Sequence, residues 1–168
     1  MKKKLITILS MALLIFGCSS KDGEKKSDAP KEKVVVVSQG SKPKSLDPYM
    51  YNEIPALAVT EQIFNTLLRV DEKGNVVPEL AESYEYASPT ELIIKIKKNV
   101  KFHNGDTMTI NDVVFSLNRM LEKPASRIMV EIIDKIDIID DSTIKLTLKN
   151  SSAPLLFSLA HPLTAILS

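Results

Sequence analysis

From His103 to Asp112 the sequence "HNGDTMTIND" places His103, Asn104, Asp106, Asn111 and Asp112 within ten residues. These residue types can ligate a metal or move a proton. The spacing speaks against both uses. No His-x-x-x-His, Glu-x-x-His or second Cys accompanies His103, and the only other histidine is His161. There is no Gly-x-Ser-x-Gly elbow for a nucleophile. The acid pair Asp140-Asp141 precedes Ser142 in a turn-like stretch and reads as solvated. Backbone duties account for the polar residues better. Asn104-Gly105 is a turn dipeptide. Thr109 precedes Ile110, Val113, Val114, Leu117 and Leu121 at helical spacing, and Asp112 stands three residues after it, as in a capping box with Asp in place of Glu. No enzyme activity, catalytic residue, metal or cofactor is expected.

The elements around this stretch alternate in type. The run "VVVVSQG" (residues 34–40) reads as a buried strand of a parallel or mixed sheet. From Pro55 to Leu68, Ala56, Val59, Ile63, Phe64 and Leu67 follow helical spacing, with Pro55 in the first turn. "RVDEKGNVVPEL" reads as a hairpin turning at Lys73-Gly74-Asn75. "ESYEYAS" and "ELIIKIKKNVKF" read as antiparallel strands around Ser88-Pro89-Thr90, with Ile94 and Ile96 facing inward and Lys95 and Lys97 outward. A further pair turns at Asp140-Asp141-Ser142, with Ile144, Leu146 and Leu148 on one face. The body is therefore mixed α/β.

The two ends differ from the body. Three Lys, an apolar run from Leu5 to Phe16 and Gly17-Cys18 have the layout of a secretory signal over residues 1–17. Cys18, the only cysteine, stands where bacterial lipoproteins carry their lipid, although Phe16 is bulkier than usual in that motif. A diacylglycerol thioether with an amide-linked acyl chain anchors stably to a bilayer. Residues 18–33 continue as a charged stretch without large apolar side chains, which reads as a disordered tether. The whole chain of 168 residues has a formal charge of +1, and without residues 1–17 it has 19 basic and 21 acidic side chains. That balance gives no reason to expect a nucleic acid partner. At the other end, Leu155, Leu156, Leu159, Leu163, Ile166 and Leu167 call for a core beyond what the chain is expected to supply, so the sequence reads as an N-terminal fragment of a longer protein.

Three segments in order carry a family resemblance. "VKFHNGDTMTINDVVFSLNRM" resembles the signature region of the bacterial extracellular solute-binding proteins of family 5, the oligopeptide- and dipeptide-binding lipoproteins of ABC importers. "SLDPYMYNEIPALAVTEQIFNTLLRVDEKGNVVPELAESYEYAS" resembles the family's opening, including the Leu46-Asp47-Pro48 turn, with Tyr84 where Trp is common. "IDIIDDSTIKLTLKNSSAPLLFSLAHP" resembles the stretch that follows. The likeness covers residues 34–168.

The resemblance implies a periplasmic-binding-protein-like (class II) clamshell, incomplete here, with part of lobe I and an added α/β domain at about residues 55–150. It implies a monomer that captures a peptide outside the cell membrane and delivers it to ABC permease subunits. In the family the segment after the Leu-Asp-Pro turn touches ligand. Carried onto this sequence, that is Tyr51, Asn52, Glu53 and Ile54, with Asn52 and Ile54 foremost. Read without the family, they form a loop entering a helix, with Asn52 as its cap before Pro55. The family's acidic partner for a peptide amino terminus lies beyond this sequence, so weak or no peptide binding is expected of the chain alone. Two other readings stay open. One is the same family with a nickel chelate, haem, sugar or signalling peptide as ligand. The other is a stand-alone surface lipoprotein or adhesin.

Overall fold

The computed structural model describes residues 34–168. The expected signal segment, Cys18 and the tether to residue 33 lie outside the described residues. The described residues fall into two units, 34–37 in the first and Ser38–Ser168 in the second. In the first, Val34 to Val37 are exposed and form no strand. The buried strand expected there is not seen, because a strand's N–H and C=O groups need a paired neighbour and no described strand pairs with this run.

The second unit is built on antiparallel strands. β1 (Leu68–Val70) and β2 (Val76–Pro78) form the expected hairpin. Its turn is closed by the Asp71 carboxylate, which accepts the Lys73 and Asn75 N–H groups at 2.9 and 2.8 Å. Gly74 takes φ +83°, a conformation that disfavours a Cβ. β3 (Ala81–Ser88), β4 (Glu91–Ile96), β5 (Ile133–Ile138) and β6 (Thr143–Leu148) form one sheet in the order β3-β4-β6-β5, antiparallel throughout. The period-2 pattern sets its two faces. Leu92, Ile94, Ile96, Ile144, Leu146 and Leu148 are buried. The other face holds solvated ion pairs such as Lys95–Glu82 and Lys145–Glu91, at 3.0 and 3.2 Å. Exposed pairs of this kind contribute at most about 1 kcal/mol each. β4 ends earlier than the sequence suggests, because Asn99 turns the chain at φ 62°.

The buried sheet face shares one core with α2 (Ile110–Glu122) and α3 (Pro124–Val130), through Ile110, Val113, Leu117, Met120 and Val130. α2 starts as its sequence predicts. The Asp112 carboxylate accepts the Thr109 backbone N–H and its hydroxyl, both at 2.7 Å, within a capping box. Asp112→Ala removes that acceptor and a carboxylate at the positive end of the helix. It is expected to lower stability by about 1 kcal/mol in urea unfolding.

α1 (Ile54–Thr60) is shorter than the Pro55–Leu68 helix expected from periodicity. Two competing bonds explain the difference. Glu79 accepts from Asn65 Nδ2 at 2.8 Å and from the Thr66 N–H at 3.1 Å, and Leu68 is drawn into β1. The cap position of α1 is Glu53, and no side chain caps it, so Asn52 is not the N-cap.

The chain's last stretch contains α4 (Leu155–Ser158) and a single 3₁₀ turn (Pro162–Thr164). The expectation that its apolar residues lack a core is overturned. Leu155, Leu159, Leu163 and Ile166 are buried, and Leu156 and Leu167 are partly buried against the same core. The segment is fastened by a Thr66↔Ala165 bridge and by the Leu167 N–H donating to Ser116 Oγ at 2.9 Å. His161 serves the backbone here. Its Nδ1 accepts the Leu163 N–H at 3.2 Å, and burial holds its pKa below the usual imidazole value.

Candidate functional site

The Leu46-Asp47-Pro48 turn fixes the approach to the predicted ligand residues. Ser45 Oγ accepts the Asp47 N–H at 3.0 Å, and Asp47 Oδ1 accepts the Tyr49 N–H at 3.1 Å. Arg119 on α2 donates to both carboxylate oxygens of Asp47, at 3.0 and 2.5 Å. Its guanidinium also lies 4.9 Å from the centre of the Tyr49 ring, a cation–π arrangement. Hydrogen bonding from Arg119 holds the Asp47 carboxyl below its ordinary pKa. Tyr49 is 0% exposed and donates its phenol to the Ala165 carbonyl at 2.5 Å. Burial pushes its pKa up to about 12.

Beyond Tyr49 the chain turns outward and presents Tyr51, Asn52, Glu53 and Ile54 in succession. Tyr51 and Asn52 are exposed, and Ile54 is 82% exposed although it is aliphatic. Glu53 is committed elsewhere. Its carboxylate takes the Lys44 ammonium at 3.0 Å on one oxygen and the Lys44 N–H at 3.3 Å on the other. This partner holds the Glu53 pKa low and raises that of Lys44. The Lys44 ammonium also lies 5.5 Å from the Tyr51 ring centre. Ile54, Pro55 and Ala58 line a groove of about 480 Å³ with Gln39, Gly40 and Ser41.

The loop therefore offers an amide, an aromatic ring, a neutralised ion pair and a bare aliphatic side chain beside an apolar groove. These groups suit contact with a ligand's backbone and apolar parts. Of the four residues named from the sequence, Tyr51, Asn52 and Ile54 are exposed and Glu53 is half-buried in its pair with Lys44. Lys44, Tyr49 and Arg119 were missed as their supports. The Leu46-Asp47-Pro48 turn was a visible signal for Asp47. Arg119 lies 72 residues away from its partner, and no local pattern marks it.

His103, Asn104 and Asp106 are exposed and form a turn. Asn104 Oδ1 accepts the Asp106 N–H at 3.0 Å, and Gly105 takes φ +92°. Val100 to Asn104, Ile63 to Asn65 and Ile166 to Ser168 border a second groove of about 370 Å³, with His103 among its lining residues. Among the described residues no three His, Cys, Asp or Glu side chains cluster as metal ligands would.

The family model for the bacterial extracellular solute-binding proteins, family 5 Middle, matches residues 75–168. The chain is similar to the glutathione-binding protein GsiB of Pectobacterium atrosepticum, at 31% identity over 141 residues, which are 81% of this chain and 27% of the relative. It is similar to the nickel-binding protein NikA of Staphylococcus aureus, at 31% over 166 residues, 98% of this chain and 31% of the relative. Among solved structures, DppA of Helicobacter pylori, in complex with the peptide STSA, superposes with TM-score 0.68 at 25% identity, over 77% of this chain and 30% of DppA. The chain thus spans between a quarter and a third of the length of these relatives. A mixed α/β body shared with binding proteins of this kind, and a family model covering more than half of the sequence, lead to one conclusion: the chain belongs to the bacterial extracellular solute-binding proteins of family 5.

Proposed function

We propose that the chain is part of the substrate-capturing lipoprotein of an ABC importer for peptides. It takes up ligand outside the cell membrane and hands it to the permease. The observation that carries this reading is the loop Tyr51 to Ile54, held out from the body by the Asp47–Arg119 and Tyr49–Ala165 bonds beside an apolar groove. Loops on a rigid scaffold commonly carry binding. Asn52 supplies an amide for a peptide backbone, and Ile54 and Tyr51 supply apolar contact. Glu53 acts through Lys44 to fix the loop. The similarity to a glutathione-binding protein and to a peptide-bound DppA supports peptides as the ligand class.

In the same reading residues 1–17 direct export. Cys18 takes the lipid that ties the chain to the bilayer, residues 18–33 are the tether, and about 55–150 form the added α/β domain of a clamshell. The protein works as a monomer that binds ligand and catalyses nothing.

A nickel complex is the second reading, carried by the similarity to NikA over nearly the whole chain. Deleting the gene from its host and following uptake of a radiolabelled tripeptide and of radioactive nickel separates the two. Tripeptide uptake is expected to fall to background while nickel uptake persists. The reverse pattern would replace the peptide reading with the nickel one, and loss of neither would remove the transport role.

A further inference from the structure

The loop that presents Tyr51 to Ile54 is held by a closed circuit of side-chain bonds. On α2, Arg119 grips both oxygens of Asp47, and one turn earlier Ser116 holds Leu167 through its N–H at 2.9 Å. Tyr49 closes the circuit by donating to Ala165, two residues before Leu167. Loop, helix and the chain's last strand-like segment thus meet at one junction. α2 is its stiff member, with 13 residues, a capping box and five buried side chains. Tyr51 and Asn52 lie between two fixed points, the Asp47–Tyr49 turn on one side and the Lys44–Glu53 pair on the other.

We propose that Arg119 is a positioning residue for ligand capture, setting through its two-point grip on Asp47 the loop that carries Tyr51 and Asn52 and leads into Ile54 at the start of α1. This rests on the reading of that loop as the ligand contact. Two observations favour Arg119 over a passive surface ion pair. The side chains of Arg119 and Asp47 are each about three-quarters covered, at 25% and 27% exposure, so water screens the pair less than an open one. The guanidinium also lies over the Tyr49 ring, so it touches the turn at both Asp47 and Tyr49. A lysine could keep the charge but neither the fork nor the stacking.

Amide hydrogen exchange on the purified full chain, without ligand, tests this for Arg119→Gln, Arg119→Lys, Asp47→Asn and the Asp47→Asn/Arg119→Gln double variant. Arg119→Gln is expected to speed exchange of the hydrogen-bonded amides of this span, those of Asp47, Tyr49 and Met50, by about tenfold while the β4 and β6 amides keep their protection. Arg119→Lys should fall between wild type and Arg119→Gln. The double variant should exchange no faster there than the faster single variant, because both remove one interaction. Unchanged exchange at these amides would overturn the proposal, and so would a uniform acceleration across all segments, which marks general destabilisation. Should Arg119→Gln fail to fold, Arg119→Lys decides by the same two criteria. No ligand enters this measurement, so its failure leaves the peptide reading standing. A failed uptake experiment likewise leaves the Arg119–loop coupling standing.

Discussion

Leu117→Ala is expected to lower the stability of the chain by about 3 kcal/mol in urea unfolding, with little change in the dependence on denaturant. Leu117 is fully buried on α2, in one cluster with Val113, Met120 and the inner face of the sheet at Leu92, Ile94, Ile144 and Leu146. Truncation removes the transfer free energy of three carbons. It also leaves a cavity between a helix and a sheet, each held by its own backbone bonds, so the walls collapse poorly. Phe115 is the control on the same helix. It is larger but 52% exposed, and Phe115→Ala is expected to cost about 0.5 kcal/mol or less. Equal costs for the two variants would mean that α2 does not pack through the face its sequence periodicity selects.

The same contrast explains how much of the fold was legible. Where one face is buried and the other wet, the sequence alternates and the structure follows it, as in Leu92-Ile93-Ile94-Lys95-Ile96 and Ile144-Lys145-Leu146. Turn chemistry was equally plain at Asp71 to Asn75, because a short carboxylate and a glycine can satisfy the backbone locally. The start of α2 was legible for the same reason, since Thr109 and Asp112 meet within one helical turn. Legibility ends where distant partners decide. The helical pattern from Pro55 onward breaks after Thr60 because Glu79, from beyond the hairpin, captures Asn65 and Thr66. The apolar residues from Leu155 to Leu167 looked surplus because their partners on β1 and α2 lie tens of residues earlier. The four valines at 34–37 show the opposite failure. Strong β propensity makes no strand without a neighbour to pair with.

The candidate site divides in the same way. Tyr51, Asn52, Glu53 and Ile54 follow a recognisable turn, and their family resemblance singled them out before any geometry was known. What holds them could not be read locally, because Asp47 and Arg119 are separated by 72 residues and Tyr49 and Ala165 by 116. The structure also separates the four by chemistry. Glu53 spends both oxygens on Lys44, whereas Ile54 is left bare at the mouth of a groove. A lone exposed aliphatic residue needs no explanation, but Ile54 lines an apolar groove together with Pro55 and Ala58, and that grouping is what marks it as a candidate contact.

Tyr49 joins the site to the core, and raising the pH is expected to expose its contribution. Its phenol is buried and donates to the Ala165 carbonyl, and its pKa is raised from 10.0 to about 12. Below about pH 10 the phenol is protonated in both folded and unfolded chains, and its contribution is fully present. Between about pH 10 and 12 the unfolded chain releases the proton while the folded chain keeps it. Stability therefore falls by about 1.4 kcal/mol for each pH unit, and by about 2 to 3 kcal/mol in all. The phenolate would also lose the donor that Ala165 needs and would place its charge against a carbonyl oxygen. Tyr49→Phe isolates this group from the other tyrosines and the lysines that titrate in the same range. At about pH 8 the variant is expected to be less stable than wild type by about 1 kcal/mol, because the buried carbonyl loses its donor. Toward pH 12 the wild-type curve should drop to the variant's or below it, since only the wild type carries the buried ionisable phenol. Urea unfolding of both chains from about pH 8 to 12 measures the difference. Parallel curves over that range would mean that Tyr49 ionises as freely in the folded chain as in the unfolded one, and that its bond to Ala165 does not hold the loop to the core.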